Sequence, residues 1–154
     1  MISDIDWARI AMAVDGEGTI ALCRSGKLPV SKRQRFYPRI QVSNTDRRLL
    51  EWIQERFGGS ISSPRKRAEN HRQGYCWQAR LGDCPSLLQG MRDWLIIKGE
   101  QADVCLEYYS GALCKRANQY QPITDEEWER RAALWERVHT LNCVQRPPEA
   151  SICV

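Results

Sequence analysis

Residues 11–22 read AMAVDGEGTIAL, an apolar run that stops abruptly at two carboxylates and two glycines. Ser3 or Asp4 can cap a helix that enters this run and ends at about Val14. It carries Trp7, Ile10, Ala11 and Val14 on one face and Ala8, Ala11, Met12 and Asp15 on another. After Arg9 the helix is apolar nearly all round, and a short helix of that kind is covered on both sides. Its small residues Ala8, Ala11 and Ala13 let another backbone come close, so one side can face its own domain and the other a partner. Asp15 and Glu17 then stand where the helix macrodipole is negative, which disfavours each acid by about 0.3–1 kcal/mol. Helix stability alone does not account for them.

The segments that follow alternate. TIALCRSGK places Ile20 and Leu22 opposite Thr19, Ala21, Cys23, Ser25 and Lys27. RFYPRIQVS places Phe36, Pro38, Ile40 and Val42 opposite Arg35, Tyr37, Arg39, Gln41 and Ser43. A period of two predicts a long antiparallel hairpin with one buried face and one wet, basic face. TDRRLLEWIQERFGG predicts a helix capped at Thr45 or Asp46, with Leu49, Leu50, Ile53 and Phe57 on one side and a stop at Gly58. A shorter hairpin is predicted from SISS, a basic loop and YCWQARL, in which Tyr75, Trp77 and Ala79 oppose Cys76, Gln78 and Arg80. Three helices are expected at 84–96, about 100–116 and 124–141, the last with Trp128, Ala132, Leu134, Trp135 and Val138 as its apolar positions. The order is α-ββ-α-ββ-α-α-α, an α+β domain over 1–142. The tail at 143–154 contains prolines and has no periodic pattern.

Charge is distributed unevenly along this order. Residues 24–80 hold fourteen lysines and arginines against four acids, a net +10, whereas the remainder holds nine basic and fifteen acidic residues, a net −6. Such asymmetry points to a polyanion on one face. Seven cysteines, an odd number without a CxxC pair, argue against both a disulfide framework and a zinc site and fit a reducing compartment. No signal sequence or membrane span is evident, so the expectation is a protein of the cytoplasm or an organellar matrix. A calcium loop starting at Asp15 is excluded, because Ile20 stands where glycine is required and Gly26 where glutamate is required. There is no internal repeat, so a second copy of the N-terminal motif must come from another chain.

The stretch Ile10–Ile20, IAMAVDGEGTI, resembles the LAGLIDADG motif of homing endonucleases, and the α-ββ-α-ββ-α order matches that family's fold. The resemblance extends over roughly residues 5–142 with one motif, as in the family's homodimeric members. It implies an antiparallel, saddle-shaped sheet and a motif helix packed against its partner's through Trp7, Ala8, Ala11, Met12 and Asp15. It also implies a reason for the acids: Glu17 would bind Mg²⁺ beside a scissile phosphate, with the Gly16 carbonyl as a further oxygen ligand. Mn²⁺ would substitute, and Ca²⁺ would support binding without turnover. Gly18 would permit a tight exit into the first strand, and Asp15 would cap or brace the packed helices. The motif departs from the family pattern at Met12 and Ala13, where glycine and a larger residue are usual.

Two further segments carry the resemblance. IQVSNTDRR is similar to the segment that places a polar side chain and then a cation near the catalytic water, which implies Asn44 and Arg47. LIIKGEQA is similar to an LxxKxxQA segment whose lysine reaches the active centre, which implies Lys98. The implied partner is double-stranded DNA, read in the major groove by Lys27, Arg33, Arg35, Tyr37, Arg39, Gln41, Gln78 and Arg80. Arg65, Lys66 and Arg67 would hold phosphates. The implied activity is a sequence-specific, divalent-metal-dependent DNA endonuclease that makes double-strand breaks at a long pseudo-palindromic target for intron homing. The alternative is an RNA maturase or a non-cleaving DNA-binding protein on the same fold.

Overall fold

Ser3 starts the first helix through a reciprocal capping box. Its hydroxyl accepts from the Asp6 N–H at 3.3 Å, while the Asp6 carboxylate accepts from the Ser3 N–H at 3.1 Å. The computed structural model describes residues 1–26, 34–64, 70–110 and 123–144. Helix α1 (Asp4–Glu17) runs three residues beyond the expected end and takes both acids of the motif into its last turn. Arg56 of the second helix reaches Asp6 at 3.4 Å and ties the start of α1 to that neighbour.

The two hairpins form one antiparallel sheet. Strands β1 (Gly18–Arg24), β2 (Phe36–Asn44), β3 (Ser60–Ser62) and β4 (Tyr75–Gln78) lie in the order β1-β2-β4-β3. The β1–β2 register pairs Ile20 with Ile40 and Leu22 with Pro38, and β4 continues it by pairing Trp77 with Val42. The expected alternation is therefore present: Ile20, Leu22, Phe36, Ile40, Val42 and Trp77 are buried on one face. The fourth strand is shorter than its sequence pattern. Ala79 still joins the ladder through its N–H to the Ile40 carbonyl, but the chain then turns into a short 3₁₀ segment, Leu81–Asp83.

Helices cover the apolar face. Asp46 caps α2 (Arg47–Phe57), whose Leu50, Ile53 and Phe57 are buried and whose Leu49 is half-buried. Helices α3 (Cys84–Met91), α4 (Gly99–Tyr109) and α5 (Asp125–Val144) complete the layer. In α5, Leu134 and Val138 enter the core while Trp128, Ala132 and Trp135 pack at its margin. The Asn142 side-chain amide donates to the Ile20 carbonyl, so the helix is docked on β1 just past its expected end at 141 and runs on to Val144.

One expectation is corrected. The helix expected over 84–96 ends at Met91, passes through a 3₁₀ turn at Arg92–Trp94 and becomes extended at Leu95. The cause is distant in sequence: the Asp15 carboxylate takes the N–H groups of Ile96 and Lys98, which a continuing helix would have used itself. The helix expected to about 116 is described to Tyr109, and 111–122 lie outside the described residues, as do 145–154 of the tail. Among the described residues no helix is long and apolar enough to cross a membrane.

Candidate active site

The exit from α1 is built by close approach. A Cβ on Gly18 would meet the Val14 Cα at 2.6 Å and the Gln41 carbonyl oxygen at 2.8 Å, so this position has room for hydrogen only. Its φ of −104° is ordinary extended backbone. Glycine is thus required here for contact, which brings the end of α1 onto β2. Glu17 is left exposed at that end, as is Gly16.

Three further groups converge on the same helix end. Asn44, the last residue of β2, donates its side-chain amide to Glu17 Oε2, while its Oδ1 accepts from the Asp46 N–H at 2.7 Å. The amide orientation is thereby fixed by a backbone donor. Lys98 donates its ammonium to the Asp15 carbonyl, one of the carbonyls that the helix terminus leaves without an intrahelical partner. Asp15 is nearly buried and accepts from the N–H of Ile96 at 2.7 Å and of Lys98 at 2.9 Å. The last turn of α1 contains no basic residue of its own. Lys98 supplies the cation that answers the negative helix end from 83 residues away. Its partial burial pushes its pKa below the ordinary lysine value, an effect that Asp15 opposes.

Arg47 lies differently. It pairs with Glu51 at 2.8 Å and its guanidinium carbon stands 5.6 Å from the centre of the Tyr75 ring, at the start of α2. The neighbouring Arg48 is bound to Asp46, whose carboxyl is held down to about 2 by that arginine's hydrogen bonds and charge. Glu17 is thus bonded to Asn44 and Asp15 to Lys98, two separate pairs at one helix end, while Arg47 pairs with Glu51 instead.

The opposite face of the sheet is polar. Register places Thr19 beside Gln41, Ala21 beside Arg39 and Cys23 beside Tyr37, and Gln41 in turn beside Gln78. Arg35, Gln78 and Arg80 are exposed, whereas Tyr37, Arg39 and Gln41 are half-buried. Burial raises the Cys23 thiol pKa, offset in part by the Arg39 charge and a Tyr37 hydrogen bond, so these three side chains form one cluster. Arg39 Nε is buried without a hydrogen-bond partner. Lys27, Arg33, Arg65, Lys66 and Arg67 lie outside the described residues. Sequence reasoning passed over Ser60 and Ser62, which the β3–β4 register puts beside Gln78 and Cys76 on this face. Their three-residue strand is too short for alternation to reveal.

The expected helix contact is corrected in part. Ala11 is 0% exposed within the single chain, and Asp15 is held by its own 95–98 turn. Trp7 packs on Phe57 at 5.2 Å between ring centres and covers Gly90, where a Cβ would lie 2.4 Å from the indole. All three serve their own core. Met12 is exposed and Ala8 half-buried, in line with Ile5 along the outer side of α1. Trp94 lines a groove with Ile5, Ala8 and Met12 and is exposed, as are Ile96, at 80%, and Ile97 of the same turn. Three large apolar residues within a four-residue turn were the available signal for this surface.

No protein-family model matches the chain, and no curated protein matches it in sequence. Solved structures do. The homing endonuclease I-CvuI, in complex with its target in the presence of calcium, superposes with a TM-score of 0.69 at 21% identity, covering 90% of this chain and 82% of that one. The archaeal intron-encoded homing endonuclease I-Vdi141I complexed with DNA gives 0.71 at 18% identity, with 90% and 84% covered. The group I intron-encoded I-CeuI complexed with DNA gives 0.66 at 13% identity, with 90% and 68% covered. The chain therefore adopts the fold of the single-motif LAGLIDADG homing endonucleases.

Proposed function

We propose that the chain is a divalent-metal-dependent, sequence-specific DNA endonuclease that acts as a homodimer, and that it cleaves one strand with each subunit. The observation that carries this reading is the exposed Glu17 carboxylate at the end of α1, held by Asn44 and standing two residues from a carbonyl that accepts from the Lys98 ammonium. An acid presented at a negative helix end is unfavourable in isolation and favourable beside a cation bound to phosphate.

The donors fit Mg²⁺. Glu17 and the Gly16 carbonyl are hard oxygen ligands, and among the described residues no cluster of three His, Cys, Asp or Glu competes for a softer metal. One carboxylate per chain matches the habit of Mg²⁺, which keeps waters and takes its remaining ligands from substrate phosphates. When bound, the ion supplies Lewis-acid stabilisation of phosphoryl oxygens and a more acidic water. The chain's own residues do the rest. Asn44 orients Glu17, and Lys98 presents a fixed positive charge toward the phosphoryl group as its charge builds.

The polar sheet face supplies recognition. Arg35, Arg39 and Arg80 suit guanine edges, Gln41 and Gln78 suit adenine edges, and Tyr37 packs among them. The outer stripe Ile5, Ala8 and Met12 with Trp94, Ile96 and Ile97 is the surface proposed for the second copy. A pseudo-palindromic target for intron homing follows from that two-fold arrangement. Selection of cleavable sites from a randomised duplex library with Mg²⁺ tests the reading. Recovery of one long, nearly two-fold symmetric site is expected, whereas absent cleavage with retained DNA affinity favours a non-cleaving binding protein, and cleavage that persists without metal overturns the metal-dependent reading.

A further inference from the structure

The turn between α3 and α4 carries Lys98; backbone bonds close its ends, Leu95 N–H to Met91 and Ala102 N–H to the Lys98 carbonyl, while Ile96 and Lys98 donate their own N–H groups elsewhere. It is held from across the molecule. The two Asp15 oxygens divide their work, Oδ2 accepting from the Ile96 N–H and Oδ1 from the Lys98 N–H, while the same residue's carbonyl receives the Lys98 ammonium. Backbone and side-chain end of Lys98 are therefore both referred to one residue of α1, two positions before Glu17. Leu95 anchors the turn in the core, and its neighbours Ile96 and Ile97 project outward.

We infer that Asp15 is a positioning residue, which sets the Lys98 ammonium relative to Glu17 by clamping the 95–98 turn to the end of α1. This rests on the nuclease reading above, in which Lys98 faces the phosphoryl group. Asp15 itself touches neither substrate nor metal. A carboxylate is required because both of its oxygens must accept. Asparagine has nearly the same shape, but its amide nitrogen would face one of the two N–H groups and could not accept from it.

The test compares wild type, Asp15→Asn, Lys98→Ala and the double variant in Mg²⁺ cleavage assays, with amide hydrogen exchange on each protein. Asp15→Asn is expected to lower kcat by about 10- to 100-fold while KM for the DNA target stays within about two-fold, as for a displaced catalytic group. Adding it to Lys98→Ala should cost little more, because both changes act through the same ammonium. The Ile96 and Lys98 amides should be protected in wild type and in Lys98→Ala and should exchange faster in Asp15→Asn. Losses that multiply in the double variant, or unchanged protection of those amides in Asp15→Asn, overturn the inference. A wild type that cuts no DNA overturns the nuclease reading instead, and the exchange measurement still decides whether Asp15 holds the turn.

Discussion

At the scale of single residues, two neighbours in α1 have opposite jobs. Ala11 is sealed in the chain's own core while Met12 is exposed, although the family resemblance implied that both meet the partner helix. Ala11→Phe should therefore overpack the fold itself and lower its stability by about 1–3 kcal/mol, read by denaturant unfolding at a concentration where the chain is monomeric. Unchanged unfolding with lost self-association would return Ala11 to the interface. The cysteines differ in the same way. Burial pushes the Cys105 thiol up to about 12 and Cys84 to about 11, so at pH 8 both stay protonated and unreactive in the native state. Cys143 is exposed on α5, 3.6 Å from His139 Nε2. Alkylation at pH 8 followed by peptide mapping should label Cys143 and spare Cys84 and Cys105 until denaturant is added. Labelling of the two core thiols in native protein would contradict this packing.

At the scale of elements, local patterns and distant contacts divide the outcome. The hairpin β1–β2 was legible because each strand alternates cleanly, and α2 was legible from Leu50, Ile53 and Phe57 with an Asp46 cap. The candidate site was legible in Glu17, Asn44 and Lys98, all of which the fold brings to one helix end through hydrogen bonds. The end of α3 was not legible, because what stops it is a carboxylate more than 80 residues earlier. Nor could the apolar surround of α1 say which side belongs to the chain itself. That depends on Trp7 finding Phe57 and Gly90, a tertiary fact. The outer stripe now separates assembly from folding. Met12→Glu or Ile96→Glu should abolish self-association in sedimentation while shifting unfolding by no more than about 0.5 kcal/mol, as expected of exposed positions. A stable dimer in both variants would move the interface elsewhere.

At the scale of the whole molecule, the chain separates its chemistry by face: helices and core on one side of the sheet, a polar face with Arg35, Arg39 and Arg80 on the other, proposed to read DNA, and two acids at one helix end. The +10 segment 24–80 contains the whole of β2 and β4, so DNA affinity should fall steeply with salt. Arg35→Ala or Arg39→Ala should relax preference at particular base pairs by about 1–3 kcal/mol, whereas Arg65→Ala should weaken all sequences alike and reduce the salt slope by about 1. Equal effects on all sequences from all three would show that the strand face grips rather than reads. The proposed metal-dependent cleavage depends most directly on the acid at the end of α1. Glu17→Gln keeps the side chain's size while removing the charge that would hold a divalent ion and that repels nearby phosphates. Measured on one cleavable duplex, with binding followed in Ca²⁺ and cleavage in Mg²⁺, the variant should bind as well as wild type or better and cut at least about 100-fold more slowly. Cleavage by Glu17→Gln at a rate near wild type would make that acid a turn residue and remove the metal-dependent mechanism.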